Sequence, residues 1–448
     1  MRKLLFDLFK YPKYHLEDVF TPASAAEVNY IIRKEKDAQL QNEMSTPGKQ
    51  IIVFGHSGSG KTSSVRNLLR TGNLSHIKTH CESSTTFEQI LLNAFDNLDK
   101  FVVSEKSMIK HHSFSKNLAA EYTILKSSIG SSNYTEESNV STRLLTPQLT
   151  PQKLAQFMGE GNIIWIIEDF HKVAPKEKAR IADVIKIFAD NSNDYRISKV
   201  ICIGACESAH ELITLNPDLK ARVSEVSVPL LKDEEIKKII INGFYLLNVN
   251  PSTSLIDKLV YYSDRLGAFA HQMCMDICKG EGINKTAFRK RFIGDESFQY
   301  AINGFINRSS DTLKSIYDAA VKNELGWYIL KTFSGNSKEK LPINEICNIV
   351  NSSKKNFTRE EIEDKLRELM SPSFNIIYYN QNSEKYALST PFWHRFLRLQ
   401  FSLERAQKKK KKKNNRNPNL SLAGKEDKFI LVDEYLLEFI KRLESSKK

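Results

Sequence analysis

Gly55-His56-Ser57-Gly58-Ser59-Gly60-Lys61-Thr62 follows the apolar run Ile51-Ile52-Val53-Phe54 and precedes Ser63-Ser64-Val65-Arg66-Asn67-Leu68-Leu69. The central eight residues fit the pattern G-x-x-x-x-G-K-[ST], set between a short buried strand and a helix. The glycines let the backbone wrap so that successive N–H groups face inward onto phosphate oxygens. The helix opening at Lys61, Thr62 and Ser63 turns its positive end toward the same anion. In that geometry Lys61 reaches the β- and γ-phosphates and Thr62 places its hydroxyl on Mg²⁺. The expected ligand is therefore a nucleoside triphosphate, ATP with Mg²⁺, held by residues 55–63; the plain alternative is an incidental glycine turn.

A second stretch, Ile163-Ile164-Trp165-Ile166-Ile167-Glu168-Asp169, has the strongest strand character in the chain and ends in two acids. Carboxylates at the end of a buried parallel strand sit where ligands bind in open α/β sheets. One can hold Mg²⁺ and the next can polarise the attacking water. By position Glu168 takes the metal, with Thr62, and Asp169 the water. Taken alone the motif is weak, because strand ends often carry acids; behind a phosphate loop it gains weight.

Working outward, His76–His80, Val200–Ile203 and Val223–Val228 read as further strands, with helices over 63–69, 85–98 and 175–190. Short apolar strands alternating with helices predict a parallel sheet covered on both faces. After residue 230 helices dominate: Asp233–Leu247, Ser252–Tyr262 and Ala268–Cys278. Beyond 310, helices at Gly326–Phe333, Ile343–Val350 and Arg359–Leu369 precede two strand-like runs, Asn375–Tyr379 and Lys385–Leu388, which is the order of a winged helix. Ser127–Thr142, rich in Ser, Asn and Thr, reads as a loop. The expected organisation is an N-terminal helical segment (1–45), a nucleotide-binding core (46–230), an all-helical lid (231–300), a winged-helix domain (301–402), and a basic linker with a C-terminal helix (403–448), Lys428–Leu443. Leu4, Leu5 and Leu8 fit one face of a short N-terminal helix.

Composition is that of an ordinary globular chain: 448 residues, 41% apolar and 27% charged. No apolar stretch approaches the roughly 18 residues that span a bilayer, so no membrane segment is expected and a cytoplasmic location is. Six scattered cysteines form neither a disulfide framework nor a zinc tetrahedron; Cys274 and Cys278 share a helix face without further ligands nearby. The formal charge of +13 includes six lysines in one run, Lys408–Lys413. Such a run suits nucleic acid or an acidic protein surface, or serves simply as a solvated linker.

The chain resembles the AAA+ ATPases, in the branch that holds origin-recognition ATPases and STAND-type signalling ATPases. The matching residues are Gly55–Thr62, Ile163–His171, Val200–Ser208, Arg222 ahead of Val226–Pro229, and the C-terminal pattern ending Thr390-Pro391-Phe392-Trp393-His394. The resemblance implies ATP hydrolysis at a subunit or domain boundary. It makes Arg222 the arginine presented to a neighbour's γ-phosphate, with a surface arginine at a strand start as the alternative. It puts Cys206 or Glu207 at the sensor position and His271 where the lid touches nucleotide, although the family usually has an arginine there. Most such ATPases carry Asp then Glu; here the order is Glu168 then Asp169. The base is one methylene shorter than in that pattern, and slow or partner-stimulated hydrolysis is expected.

Within the winged helix, residues 358–369 carry Arg359, Lys365 and Arg367 against Glu360, Glu361, Glu363, Asp364 and Glu368. DNA affinity comes largely from cations on phosphate, so this helix is unsuited to reading DNA. The expectation is an ATP-driven switch that couples nucleotide state to a partner or effector protein, as in regulatory and sensor ATPases including bacterial antiviral defence. The alternative is a DNA-binding ATPase of replication initiation or transposition, contacting DNA through the basic tail. A homo-oligomer is compatible with both.

Overall fold

Ile51, Ile52 and Val53 put apolar side chains on both faces of one strand, which is stable only where helices cover both faces. The computed structural model describes residues 13–107, 124, 149–205, 219–309, 313–335, 340–352, 356–381, 383–390, 393–401 and 404. The expected helices around Leu4–Leu8 and Lys428–Leu443, the Ser127–Thr142 loop, Cys206–Ser208, Pro391-Phe392 and the lysine run lie outside those residues. The chain divides into two compact units, Ala23–Leu231 and Met1–Pro22 with Lys232–Lys448.

In the first unit the elements run α1 (Lys34–Ser45), β1 (Gln50–Phe54), α2 (Lys61–Thr71), β2 (His76–His80), α3 (Phe87–Ser107), α4 (Pro151–Glu160), β3 (Ile164–Glu168), α5 (Pro175–Asp190), β4 (Val200–Gly204) and β5 (Val223–Ser227). The five strands form one parallel sheet in the order β2-β3-β4-β1-β5. One face packs Ile51, Val53, Ile164, Ile166, Ile201, Ile203 and Val226 against Leu40 of α1 and Val65, Leu68 and Leu69 of α2. The other packs Ile52, Ile77, Trp165, Ile167 and Cys202 against α3, α4 and α5. The fold is thus α/β, a P-loop-type parallel sheet with helices on both faces. Trp165 is wholly buried because its indole Nε1 donates to Thr79 Oγ1 at 3.0 Å, which satisfies its one polar atom. Residues 23–45, expected in a separate N-terminal segment, belong to this unit.

In the second unit, α6 (Asp233–Leu246), β6 (Val249–Pro251), α7 (Thr253–Ser263), α8 (Gly267–Gly280), β7 (Arg291–Ile293) and α9 (Phe298–Ser309) come first. β6 and β7 pair in parallel, a two-stranded element absent from the sequence expectation. Then follow α10 (Ser315–Ala320), α11 (Glu324–Gly335), α12 (Ile343–Asn351), α13 (Arg359–Met370), and the antiparallel hairpin β8 (Ile377–Asn380) and β9 (Lys385–Leu388). Leu341 adds a bridge to Tyr386 beside the hairpin. α13 starts in a capping box: Thr358 Oγ1 accepts from the Glu361 N–H at 3.2 Å, and the Glu361 carboxylate accepts from the Thr358 N–H at 2.7 Å. A last helix covers 393–401. There the His394 ring meets Asp264 at 2.6 Å, and Arg398 meets the same carboxylate at 3.2 Å. No helix among the described residues is long and apolar enough to cross a membrane.

Candidate functional site

The loop between β1 and α2 makes three excursions to positive φ, at Gly55 (146°), Gly58 (76°) and Gly60 (93°). Each suits glycine because a Cβ would be strained there. At Gly55 space matters as well: a Cβ would lie 2.2 Å from the Val228 carbonyl oxygen. The loop therefore runs directly against the chain leaving β5. Gly60 is the left-handed residue from which α2 starts, so Lys61 and Thr62 occupy the first positions of the helix.

The Lys61 side chain is buried and folds back over its own loop, donating to the Gly55 carbonyl at 2.9 Å and the His56 carbonyl at 2.7 Å. His56, Ser57 and Gly58 form the exposed lip. Ser59 is buried, and its hydroxyl has no hydrogen-bond partner among the described residues. Ser63 Oγ accepts from the Ala26 N–H at 3.1 Å.

Two residues that the sequence did not single out brace this loop. The Arg33 guanidinium, itself buried, donates to the Ser59 carbonyl at 3.5 Å and the Leu230 carbonyl at 3.4 Å. The Tyr30 hydroxyl donates to Asp37 at 2.7 Å and lies 3.1 Å from Ser64 Oγ in α2. Their only signal in the sequence is an arginine and a tyrosine in an otherwise polar lead-in to α1.

The acid pair sits at the same edge of the sheet. Ile52 is level with Cys202, and Cys202 with Ile167, so Glu168 is level with Val53 and Asp169 with Phe54, the residue before the loop. One strand intervenes, so two strand spacings, roughly 10 Å, separate β3 from β1. That gap leaves room for phosphate groups between loop and carboxylates. Side chains alternate along a strand, so Glu168 shares the face of Ile164 and Ile166, which is the α2 face. The Glu168 carboxylate lies 3.6 Å from Lys78 Nζ and 4.0 Å from His80 Nδ1, both on β2. Asp169 takes a left-handed backbone (φ 58°) and holds Lys172 at 2.8 Å. His171, two residues on, accepts from the Ala205 N–H at the end of β4, at 3.1 Å. Burial lowers the His171 pKa, with Lys172, Lys61 and Lys178 adding to the effect and Asp169 opposing it. The ring's Nδ1 is an acceptor here and ties β4 to the end of β3.

Arg222 lies in the same unit as the loop, and His271 belongs to the second unit. Arg222 precedes β5, and its carbonyl accepts from the Gln50 N–H at 2.7 Å, at the opposite edge of the sheet from the loop. The strand length puts Gly55 roughly 20 Å away, so Arg222 cannot serve a phosphate on its own loop. Its guanidinium pairs with Asp190 at 3.0 Å. His271, in α8 of the second unit, is 4% exposed; its Nδ1 accepts from the Thr21 N–H at 3.1 Å, and its ring meets Phe20 edge-on. Burial lowers its pKa to about 4. Its partners in this fold are Thr21 and Phe20. Among the described residues no group of three or more His, Cys, Asp or Glu side chains could hold a metal ion by itself. A cation at Thr62 and Glu168 would therefore need phosphate or water oxygens to complete its shell, which is how Mg²⁺ is usually held.

No family model and no curated protein matches the sequence. Solved structures do. The Walker-type ATPase PABY2304 of Pyrococcus abyssi is 13% identical with TM-score 0.47, covering 82% of this chain and 96% of that one. The ORC2 protein of Aeropyrum pernix is 12% identical with TM-score 0.45, covering 87% and 98%. Cdc6p from Pyrobaculum aerophilum is 12% identical with TM-score 0.42, over the same shares. Likeness at that level carries neither a residue assignment nor an activity to this chain.

Proposed function

We propose that this chain binds ATP with Mg²⁺ and hydrolyses it, as an AAA+ ATPase of the origin-recognition or STAND-like branch. The observation that carries the reading is one juxtaposition. A three-glycine loop opening helix α2 at Lys61-Thr62 lies two strands from Glu168-Asp169, at one level of one sheet edge. The loop amides and the α2 N-terminus receive the phosphates. Lys61 leaves the Gly55 and His56 carbonyls for the β- and γ-oxygens. Thr62 and Glu168 would hold the cation, which when bound would neutralise charge on the phosphate oxygens. Asp169 orients the attacking water and takes its proton; Lys172 must yield some of its hold for that to happen. An acid shorter than glutamate, already ion-paired, supports slow or partner-stimulated turnover. Arg222 acts only on a neighbouring copy's nucleotide.

Phosphate release by the purified chain tests this. Lys61→Ala should abolish turnover with most binding, whereas Glu168→Ala and Asp169→Ala should keep binding and lose turnover. Turnover that survives Lys61→Ala sinks the assignment.

The output we assign is a switch acting on a partner protein through a C-terminal winged helix. The three cations of α13 support a protein partner over DNA on that helix. Arg359 pairs with Glu363 at 2.7 Å, Lys365 with Glu368 at 2.8 Å, and Arg367 with Asp364 at 2.9 Å. Cations so engaged are poorly placed for phosphates. A regulatory ATPase with an effector, as in antiviral defence, fits this better than replication or transposition; the +13 charge favours the latter. A gel-shift titration against salt separates the two, since tight, salt-steep binding of duplex DNA supports only the second.

A further inference from the structure

The segment from Lys285 to Phe292 reads Lys-Thr-Ala-Phe-Arg-Lys-Arg-Phe, with four cations, two phenylalanines and no acid. It connects α8 to α9 in the second unit, ending in β7. Phe288 and Phe292 are each 59% exposed, more than any other described phenylalanine, tyrosine or tryptophan. Arg289 and Lys290 are exposed between them. The mount beneath is firm. Thr286 Oγ1 donates to the Leu246 carbonyl at 2.9 Å, and the Ala287 N–H donates to the Leu247 carbonyl at 2.9 Å. The Arg291 N–H donates to the Asn248 carbonyl at 3.0 Å. Phe288-Arg289-Lys290 therefore project from a backbone fixed on both sides. The Tyr14 N–H donates to Thr286 Oγ1 at 2.9 Å, which brings exposed Lys13 alongside and extends the positive surface.

The acids nearby are partly engaged. Glu281 accepts from Ser297 at 2.6 Å, and Asp295 pairs with Lys258 and Ser254. Glu17 and Asp18, exposed beyond His15, bound the patch on one side.

Burial of apolar surface is the dominant favourable term in folding, so two phenyl rings left more than half exposed on a well-braced loop call for a reason. Exposed rings interleaved with guanidinium and ammonium groups suit a polyanion that also offers flat apolar faces. We propose that this loop is a binding surface for single-stranded nucleic acid, the rings stacking on bases and Lys13, Lys285, Arg289 and Lys290 tracking the phosphates. Duplex DNA keeps its bases stacked and offers the rings nothing. A membrane surface needs apolar and charged residues on separate faces, whereas here three cations stand between the two rings. The surface is independent of the nucleotide site and does not rest on its assignment.

The test is fluorescence anisotropy of the full chain with a labelled mixed-sequence single-stranded oligonucleotide across a salt series. A 5-bromouracil version of the oligonucleotide, photocrosslinked, maps the contact. Phe288→Ala and Phe292→Ala should each weaken binding about five- to a hundredfold with the salt slope unchanged. Arg289→Ala with Lys290→Ala should lower the slope of log K against log salt by about 1.4. Phe288→Trp should retain affinity, and crosslinks should fall at Phe288 or Phe292. Crosslinks confined to the Lys408–Lys413 segment, or loop variants that bind as the parent does, overturn the proposal. So does loss of binding to anionic vesicles with oligonucleotide binding intact, which would reassign the loop to membranes. Unchanged thermal unfolding in the variants excludes misfolding as the cause.

Discussion

Adding one methyl group at Gly55 and one at Gly60 should have unequal costs, although both residues have positive φ in the same loop. At Gly60 a Cβ meets nothing within 4 Å, so the penalty is conformational alone, about 1–3 kcal/mol. At Gly55 the same strain applies, and the Cβ also lands 2.2 Å from the Val228 carbonyl oxygen and 3.1 Å from its carbon. That contact is backbone, and Val228 is itself held by its N–H to the Phe54 carbonyl at 2.8 Å, so no rotamer relieves it. Overpacking of this kind adds about 1–3 kcal/mol. The lost freedom of the unfolded chain returns about 0.4–1 kcal/mol to each variant. Gly55→Ala should therefore be less stable than Gly60→Ala by about 2 kcal/mol. For a unit of this size that is about 4–8 °C in Tm, read by differential scanning calorimetry. A displacement near 1 Å in the loop should also cost Gly55→Ala about a hundredfold in turnover. If Gly60→Ala melts at or below Gly55→Ala, the packing of the loop against the β5 exit is wrongly described.

Acid should destabilise the second unit through His271. Its pKa, lowered by burial to about 4 against 6.5 in the unfolded chain, means the unfolded state binds the extra proton between those values, so stability is full above pH 6.5 and falls toward pH 4. The slope approaches about 1.4 kcal/mol per pH unit; His271→Gln should flatten it in urea midpoints taken across that window. Asp264→Ala should cost about 2–4 kcal/mol in urea unfolding, because it takes from His394 and Arg398 the carboxylate they share. Burial alone would raise the Asp264 pKa, but His394, Arg398 and Arg395 hold it below its ordinary value; the acid side of the profile should show the same loss. Trp165→Phe removes the donor to Thr79 and opens a void under α5, for about 1–3 kcal/mol in chemical denaturation.

What the sequence made legible was local. β1, the glycine loop and the start of α2 could be read because strand pattern, loop chemistry and helix follow one another without a gap. β3 could be read from its apolar run, although Ile163 itself is not in the strand: its N–H turns back to the Met158 carbonyl at 2.8 Å and closes α4. The order of strands could not be read, because nothing local in Val200–Gly204 says that β4 lies between β1 and β3. For the same reason Lys78 and His80 gave no hint that they face Glu168; that depends on β2 pairing with β3. α1 falls within the helical segment expected over 1–45, but its bounds could not be read, because its only buried hydrophobic residue is Leu40, too little for a periodic signal. β6 and β7, three residues each, are too short to show alternation. His271 was placed by resemblance, and only tertiary packing reveals Thr21 and Phe20 as its neighbours.

Isothermal titration of Mg²⁺-ATP into the purified chain, and in parallel into Lys61→Ala, puts the phosphate grip itself to the test. The loop geometry predicts saturable binding to the parent chain and a loss of most of that affinity in the variant, whose fold should be unchanged by circular dichroism. Equal binding by the two proteins, or none by the parent, would contradict it.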